Sequence, residues 1–195
     1  MHPYATDSKE RENVLFYIAV LSIFISWILH NVLNVVHLSI PWWFDAPSVA
    51  GFYGLFYFIF NKYTWKWLML RKLGVVKVPN LNGTWKGYVV SSFDEPPNKY
   101  EATLVILQNW TQISIILKTQ NSKSTSLIAG ILIDNPEGTM LTYEYLNEPL
   151  PFANDGMHIH KGTTNLILNE KNVLEGEYYT GRDRANFGSI SIKKE

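Results

Sequence analysis

Two periodicities divide this chain. Between Asn13 and Asp45 no Lys, Arg, Asp or Glu interrupts a run of apolar and aromatic residues. Beyond about Pro79, apolar positions alternate with polar ones in short stretches parted by turn residues. The first pattern predicts helices in an apolar environment, and the second predicts half-buried strands.

Val14 to Leu38 holds 25 residues without a formal charge. At ~1.5 Å per residue this exceeds a hydrocarbon core of ~30 Å, so it can span a bilayer with some tilt. It has neither the short apolar core nor the small-residue cleavage site of a signal peptide. A second apolar stretch, Pro47 to Phe60, reaches Leu70 if Lys62 and Lys66 snorkel toward headgroups. Trp65 and Trp67 then mark one interface, Trp42 and Trp43 the other, and Ile40–Pro47 makes a tight loop. A two-helix transmembrane hairpin over 14–72 is the expectation, with a soluble helical hairpin as the alternative. His30 and His37, seven apart on one helical face, are read as neutral and packed between helices.

Lys/Arg placement sets the predicted orientation. Lys62, Lys66, Arg71, Lys72 and Lys77 follow the second stretch, Lys9 and Arg11 precede the first, and the loop between carries none. The positive-inside rule puts both ends in the cytoplasm. The expected division is a cytoplasmic N-terminal segment 1–13, the hairpin 14–72, a linker 73–79 and a cytoplasmic β-domain 80–195.

That β-domain reads as eight strands. Alternation runs through Trp85–Val89, Tyr100–Ile106, Ile113–Leu117 and Leu141–Tyr145, and Ser126–Ile133 is nearly continuous apolar sequence. His158–Leu168, Val173–Thr180 and Asn186–Lys193 complete the set, with Asp94–Asn98 and Asp134–Gly138 as turns. No helical pattern intervenes. An eight-stranded up-and-down barrel is predicted, because closure removes exposed edges, and its interior can hold one small ligand. A two-sheet sandwich would need a long Greek-key connection, which is not evident.

Charge and composition narrow the chemistry. From Asn80 onward ten Lys/Arg face thirteen Asp/Glu, a balance that argues against duplex nucleic acid. The chain has no cysteine, which removes disulfides, thiolate catalysis and cysteine zinc sites. His158 and His160 share a strand face but have no third ligand at a useful spacing, so no metal site is expected. No nucleophile elbow, phosphate-binding loop or spaced carboxylate pair appears, and no enzymatic activity is expected.

The candidate binding face lies in Gly176-Glu-Tyr-Tyr-Thr-Gly-Arg182. Strand alternation puts Tyr178, Thr180 and Arg182 on one side and Glu175, Glu177 and Tyr179 on the other. With the glutamates in water, the inward set offers a ring to stack on a base and a guanidinium to grip phosphate. Arg184 lies near the same mouth, and Tyr143 and Tyr145 are inward candidates from another strand, where filling the core is the competing role. Lys86 and Lys161 are the remaining cations that a shifted facing would turn inward.

Two apolar stretches followed by Leu81-Asn-Gly-Thr-Trp85-Lys-Gly87, Gly176-x-Tyr178-x-Thr180-x-Arg182 and Gly188-x-Ile190-x-Ile192 resemble a known family. It is the SMODS-associating two-transmembrane, β-strand-rich effectors of bacterial CBASS anti-phage immunity. The Gly-x-Trp opening is also similar to lipocalin-like barrels, where the Trp closes one barrel end. The resemblance implies a barrel that senses a cyclic oligonucleotide, in the first instance a cyclic dinucleotide, as activating ligand without further cofactor. It implies an inner-membrane protein whose hairpins self-associate on binding, with Gly51 and Gly54 as close-approach points, disrupting the membrane and causing abortive infection. Two other readings stay open. One is a membrane-tethered barrel for an apolar ligand, for which Leu104, Ile106, Ile113, Ile115 and Leu117 are compatible inward residues. The other is a filled barrel acting as a docking module.

Overall fold

The computed structural model describes residues 1–36, 45–93, 98–151, 153, 157–182 and 184–195. The chain forms two compact units, Met1–Ser8 with Val78–Glu195, and Lys9–Lys77.

The first unit is a closed barrel of nine strands: β1 (His2–Thr6), β2 (Gly83–Ser91), β3 (Lys99–Gln108), β4 (Gln112–Lys118), β5 (Ser122–Leu132), β6 (Thr139–Pro149), β7 (His160–Leu168), β8 (Val173–Thr180) and β9 (Phe187–Lys194). Strands β2 to β9 form the expected antiparallel meander, and β9 closes it against β2 from Trp85↔Lys194 to Ser91↔Gly188. The expectation of eight strands is corrected by β1. It is antiparallel to β4 at His2↔Ile113 and Pro3↔Gln112, and parallel to β5 from Tyr4↔Ala129 to Thr6↔Ile131.

β1 has work to do there. Strands β4 and β5 pair directly only at Ile116↔Thr125, Leu117↔Ser124 and Lys118↔Lys123. Further along, β5 shifts register between Ser126 and Ile128, and β1 occupies the wall between the two strands. Tyr4 is buried and donates its hydroxyl to the Trp110 carbonyl at 2.7 Å. His2 Nε2 lies 2.8 Å from Ser126 Oγ, and the Asp7 carboxylate accepts the Ile133 and Asp134 N–H groups at 2.8 and 3.0 Å. A five-residue stretch with a proline carries little strand signal of its own, so tertiary pairing decides its conformation. Residues 1–8 thus fold with the barrel rather than as part of a separate N-terminal segment.

Alternation aims Leu104, Ile106, Ile113, Ile115, Leu141 and Leu166 inward, where each is at most 1% exposed. Burial of such side chains is worth ~1.5–3 kcal/mol apiece and accounts for the stability of this half of the barrel. Trp85 shuts the same end, as its Gly-x-Trp setting implied. It is buried, and its indole N–H donates to the Leu81 carbonyl at 3.0 Å. Buried Gln108 ties that plug to the wall by accepting the Leu81 N–H at 2.8 Å and donating to the Pro79 carbonyl at 3.2 Å.

The second unit contains α1 (Glu10–Val35), α2 (Asp45–Lys62), a 3-10 turn (Thr64–Lys66) and α3 (Leu68–Lys72). Ser26 Oγ and Ser48 Oγ, 2.7 Å apart, join α1 to α2, while Phe16, Phe24, Trp27, Leu55 and Phe58 face outward. Large exposed apolar side chains on one helical pair suit a lipid environment. Among the described residues α1 alone is long and apolar enough to cross a membrane. The expected continuation of the second helix to Leu70 does not occur. Tyr63 leaves the helix at φ −123°, ψ −59°, and Trp67 is extended before α3. Tyr63-Thr64-Trp65 is a run of poor helix formers, and burying the Trp65 ring favours the break. Lys62 Nζ lies 5.6 Å from the Phe58 ring centre and 5.1 Å from that of Tyr63. His37, Trp42, Trp43 and most of the Ile40–Pro47 loop lie outside the described residues.

Candidate functional site

An up-and-down meander brings alternate strand starts and strand ends to one rim. At the rim opposite Trp85, this gathers the ends of β2, β4, β6 and β8 and the starts of β3, β5 and β7 around a cavity of about 160 Å³. The inward phase, apolar at the closed end, turns polar here: Ser124 on β5, Asn147 on β6 and Thr164 on β7 are all buried, and all line the cavity. Val89 on β2, Leu117 on β4 and Ile190 on β9 also line it, so the cavity joins an apolar wall to a polar one, and the buried polar groups would be costly in a filled core.

Three tyrosines line it, Tyr100 on β3, Tyr145 on β6 and Tyr178 on β8. Tyr145 and Tyr178 point inward from β6 and β8, each seated across the ladder on a glycine, Tyr145↔Gly162 and Tyr178↔Gly188. A methyl group at Gly162 would meet the Tyr145 hydroxyl, and one at Gly188 the Tyr178 ring, so the glycines let the rings lie against the wall. Tyr143 is buried beyond Tyr145, with ring centres 6.2 Å apart, and does not itself line the cavity. Burial pushes the Tyr143 hydroxyl up to about 12, with Thr164 pulling the other way. The Tyr145 hydroxyl is pushed higher still by burial, then by Tyr143 and Tyr178, and is drawn back by Arg184. Both phenols are therefore neutral donors at physiological pH.

The cavity's guanidinium belongs to Arg184. Its Cζ sits 5.4 Å from the Phe93 ring centre and its Nη1 3.5 Å from His160 Nδ1. Arg182, which strand alternation had turned inward beside Thr180, is exposed and does not line the cavity. The alternation ends because β8 ends. Thr180 closes a tight turn by accepting the Asn186 N–H on Oγ1 at 2.8 Å and donating its own N–H to the Asn186 carbonyl at 2.8 Å. Ala185 takes a positive φ of 50° within that turn, which carries Arg184 rather than Arg182 to the rim. Lys86 and Lys161 face outward and pair with Glu195 and Glu144.

His160 was weighed only as a metal ligand, yet it lines this cavity. Among the described residues no group of three metal-ligating side chains occurs. Its Nδ1 lies 2.9 Å from the His158 carbonyl, and burial, reinforced by Arg184, holds its pKa below the usual histidine range. The ring is neutral at physiological pH, donating to that carbonyl and presenting Nε2 as an acceptor. Asn147 and Ser124 escaped sequence reading as well. The signal was there, since the inward phase Tyr143, Tyr145 continues to Asn147, and Ser122, Ser124, Ser126 alternate on β5. Chemically, the described lining offers the rings of Phe93, Tyr100, Tyr145 and Tyr178, the Arg184 cation and a band of hydroxyl and amide groups. That set can stack a base, pair with an anion and read polar edges.

Comparison with known proteins gives matches over most of the chain. Residues 76–194 match the model for the Cap15 cyclic dinucleotide receptor domain, and residues 12–66 match the model for Cap15 TM helices. CD-NTase-associated protein 15 of Yersinia aleksiciae is 33% identical over 154 residues, covering 77% of this chain and 71% of that protein. CD-NTase-associated protein 15 of Staphylococcus schleiferi is 27% identical over 153 residues, covering 78% and 80%.

Proposed function

The chain belongs to the Cap15 family, and on that premise we propose that its barrel is the sensor of a CBASS anti-phage effector. A cyclic dinucleotide enters the open end, stacks a base on Tyr145 or Tyr178, and sets a phosphate against Arg184. Thr180 and the amide and hydroxyl band supply further hydrogen bonds. Binding drives self-association of the helical units, the membrane is disrupted, and infection aborts. The protein acts as a receptor rather than a catalyst, and the nucleotide is its activating ligand with no other cofactor.

The observation that carries this reading is the change of the inward phase from apolar to polar at the open end. It supports a polar ligand over a hydrocarbon. Of the residues compatible with an apolar ligand, Leu104, Ile106, Ile113 and Ile115 are fully packed in the closed-end core, and only Leu117 reaches the cavity. A docking module with a filled barrel would not need that cavity.

Topology supports the membrane arrangement. Residues 1–8 and 78–195 share one barrel, so the chain leaves that barrel at Ser8 and returns to it at Val78. The helical unit therefore crosses the bilayer an even number of times, and α1 and α2 as a two-span hairpin satisfy this. The lysines and arginines at both ends favour a cytoplasmic barrel on the bacterial inner membrane. The open surroundings of Gly51 and Gly54 leave room for a helix of a second copy. Nucleotide shifts this assembly only by its differential affinity for the assembled state.

Calorimetric titration of the full chain in detergent with cyclic di- and trinucleotides tests the receptor reading. Tight binding of one member, abolished in Tyr178→Ala with the fold intact, is expected. A folded protein that binds none of them, but takes up a fatty acid, would transfer the argument to the apolar reading.

A further inference from the structure

Among the described residues, the polar band contains one group without a hydrogen-bond partner. Asn147 on β6 faces Ser124 on β5 and His160 on β7 in register, so the three make a single rung across the cavity wall. Its amide nitrogen donates to Ser124 Oγ at 2.8 Å and to Ser122 Oγ at 3.0 Å. Ser122 Oγ lies in turn 3.2 Å from Thr119 Oγ1. The side chain is thus fixed by two hydroxyls at one end of its amide. Its carbonyl oxygen Oδ1 is buried and has no hydrogen-bond partner among the described residues, although Asn147 is only 8% exposed. All five residues line the cavity.

A buried acceptor without a donor is costly in the folded state unless something outside the chain supplies one. The rung says what kind of donor fits. On one side of Asn147 in the rung stands the Ser124 hydroxyl, which accepts from the Asn147 amide nitrogen and keeps its own proton to give. On the other stands His160, with the Arg184 guanidinium beside it. A planar edge carrying an N–H next to an acceptor, attached to a phosphodiester, meets Oδ1, the serine hydroxyl and the guanidinium together. A nucleobase edge has that form.

Resting on the receptor reading above, we propose that Asn147 is the specificity-determining residue of the cavity, its Oδ1 accepting a ring or exocyclic N–H from one base of the bound cyclic dinucleotide. Ser124 and Ser122 act as positioning residues that aim the amide. The tyrosines and Arg184 supply affinity that is tolerant of base identity, while Asn147 supplies selection. A site that commits a buried acceptor to a donor rejects a ligand lacking that donor more strongly than an apolar pocket rejects a missing methyl group.

The test crosses ligand and protein changes. The full chain in detergent is titrated with the cyclic dinucleotides of A, G, C and U, of like and of mixed bases, and the best binder is compared with its base-methylated counterpart. The counterparts carry N6,N6-dimethyladenine, N1,N2,N2-trimethylguanine, N4,N4-dimethylcytosine or N3-methyluracil, each of which removes every N–H donor of the base. Wild-type protein is expected to lose at least about tenfold in affinity on methylation. Asn147→Ala is expected to bind both forms with similar, weakened affinity. Asn147→Asp keeps an acceptor, lets the serines donate to it, and is expected to retain the discrimination whatever its overall affinity. Equal binding of both forms by the wild type overturns the proposal, and that result needs no variant to fold. Discrimination that survives in Asn147→Ala also overturns it, because the methyl group then clashes elsewhere. If the wild type binds none of the unmodified dinucleotides, the receptor reading itself fails and this inference with it.

Discussion

Closure of the barrel by β1 makes Tyr4 the most consequential side chain outside the cavity. Its ring is buried and its hydroxyl donates to the Trp110 carbonyl at 2.7 Å, where the wall between β4 and β5 depends on β1. Tyr4→Phe removes one buried hydrogen bond and keeps the packing, which should cost about 1–1.5 kcal/mol. Tyr4→Ala loses the ring as well and leaves a cavity, for a total of about 3–5 kcal/mol. In a domain of this size the first change should lower the melting temperature by about 3–5 °C and the second by roughly three times as much. Trp85 and Trp110, both buried in the barrel, report its unfolding through tryptophan fluorescence of the full chain in detergent. The cavity lies at the other end, so folded Tyr4→Phe should keep wild-type nucleotide affinity. A Tyr4→Ala protein melting within about 2 °C of wild type would refute the role given to β1, because closure would then not depend on it. The same logic warns against cutting the barrel out at about Pro79. That fragment lacks β1, leaves parts of β4 and β5 as open edges, and should aggregate at concentrations where the full chain stays dispersed.

Other expectations concern the cavity. Arg184→Ala should weaken nucleotide binding by about tenfold or more, since a charge-assisted bond to phosphate is lost, whereas Arg182→Ala should stay within about twofold by calorimetry. Gly188→Ala should push the Tyr178 ring off the wall and crowd the Val90 carbonyl, lowering stability by about 1–3 kcal/mol in denaturant titration and weakening binding as well. His160 has its folded pKa held below 6.5, so unfolded chains take up its proton first as pH falls. The stability that its neutral burial contributes is complete above about pH 6.5 and is lost as pH drops through the folded pKa. Melting curves at pH 7.5 and 5.0 should therefore differ less in His160→Gln than in wild type.

Much of this architecture was legible because strand alternation is a strong signal wherever one face is packed. Six of the eight anticipated strands appear within two residues of their expected bounds, β6 runs four residues further, to Pro149, and the inward set of β8 through Thr180 is as alternation required. β5 is the informative exception. Read as an apolar run from Ser126, it actually begins at Ser122, because Ser122, Ser124 and Ser126 alternate as an inward polar face that a rule seeking apolar insides passes over. The error at Arg182 has the same root in reverse. Alternation was continued past Thr180, where paired hydrogen bonds with Asn186 end the strand and turn the chain. β1 left no comparable trace, since its five residues become a strand only when β4 and β5 part to receive them.

The two misreadings, of polar β5 and of the end of β8, fall on the same rim. Packing dictates sequence where side chains fill space, so the closed end, with Leu104, Ile106, Ile113 and Ile115 around the Trp85 plug, obeys the simple rule. At the open end the described residues leave a cavity, and the side chains there answer to a different constraint. Ser124, Asn147 and Thr164 are buried yet polar, Tyr178 needs the bare backbone of Gly188, and Arg184 needs a turn with a positive φ behind it. Each is a local departure from the pattern that stabilises a barrel, and each becomes intelligible once a polar, partly aromatic, anionic molecule completes the packing. Sequence rules for a core break down together at one rim, and the receptor reading proposed above accounts for all of these departures by one missing packing partner.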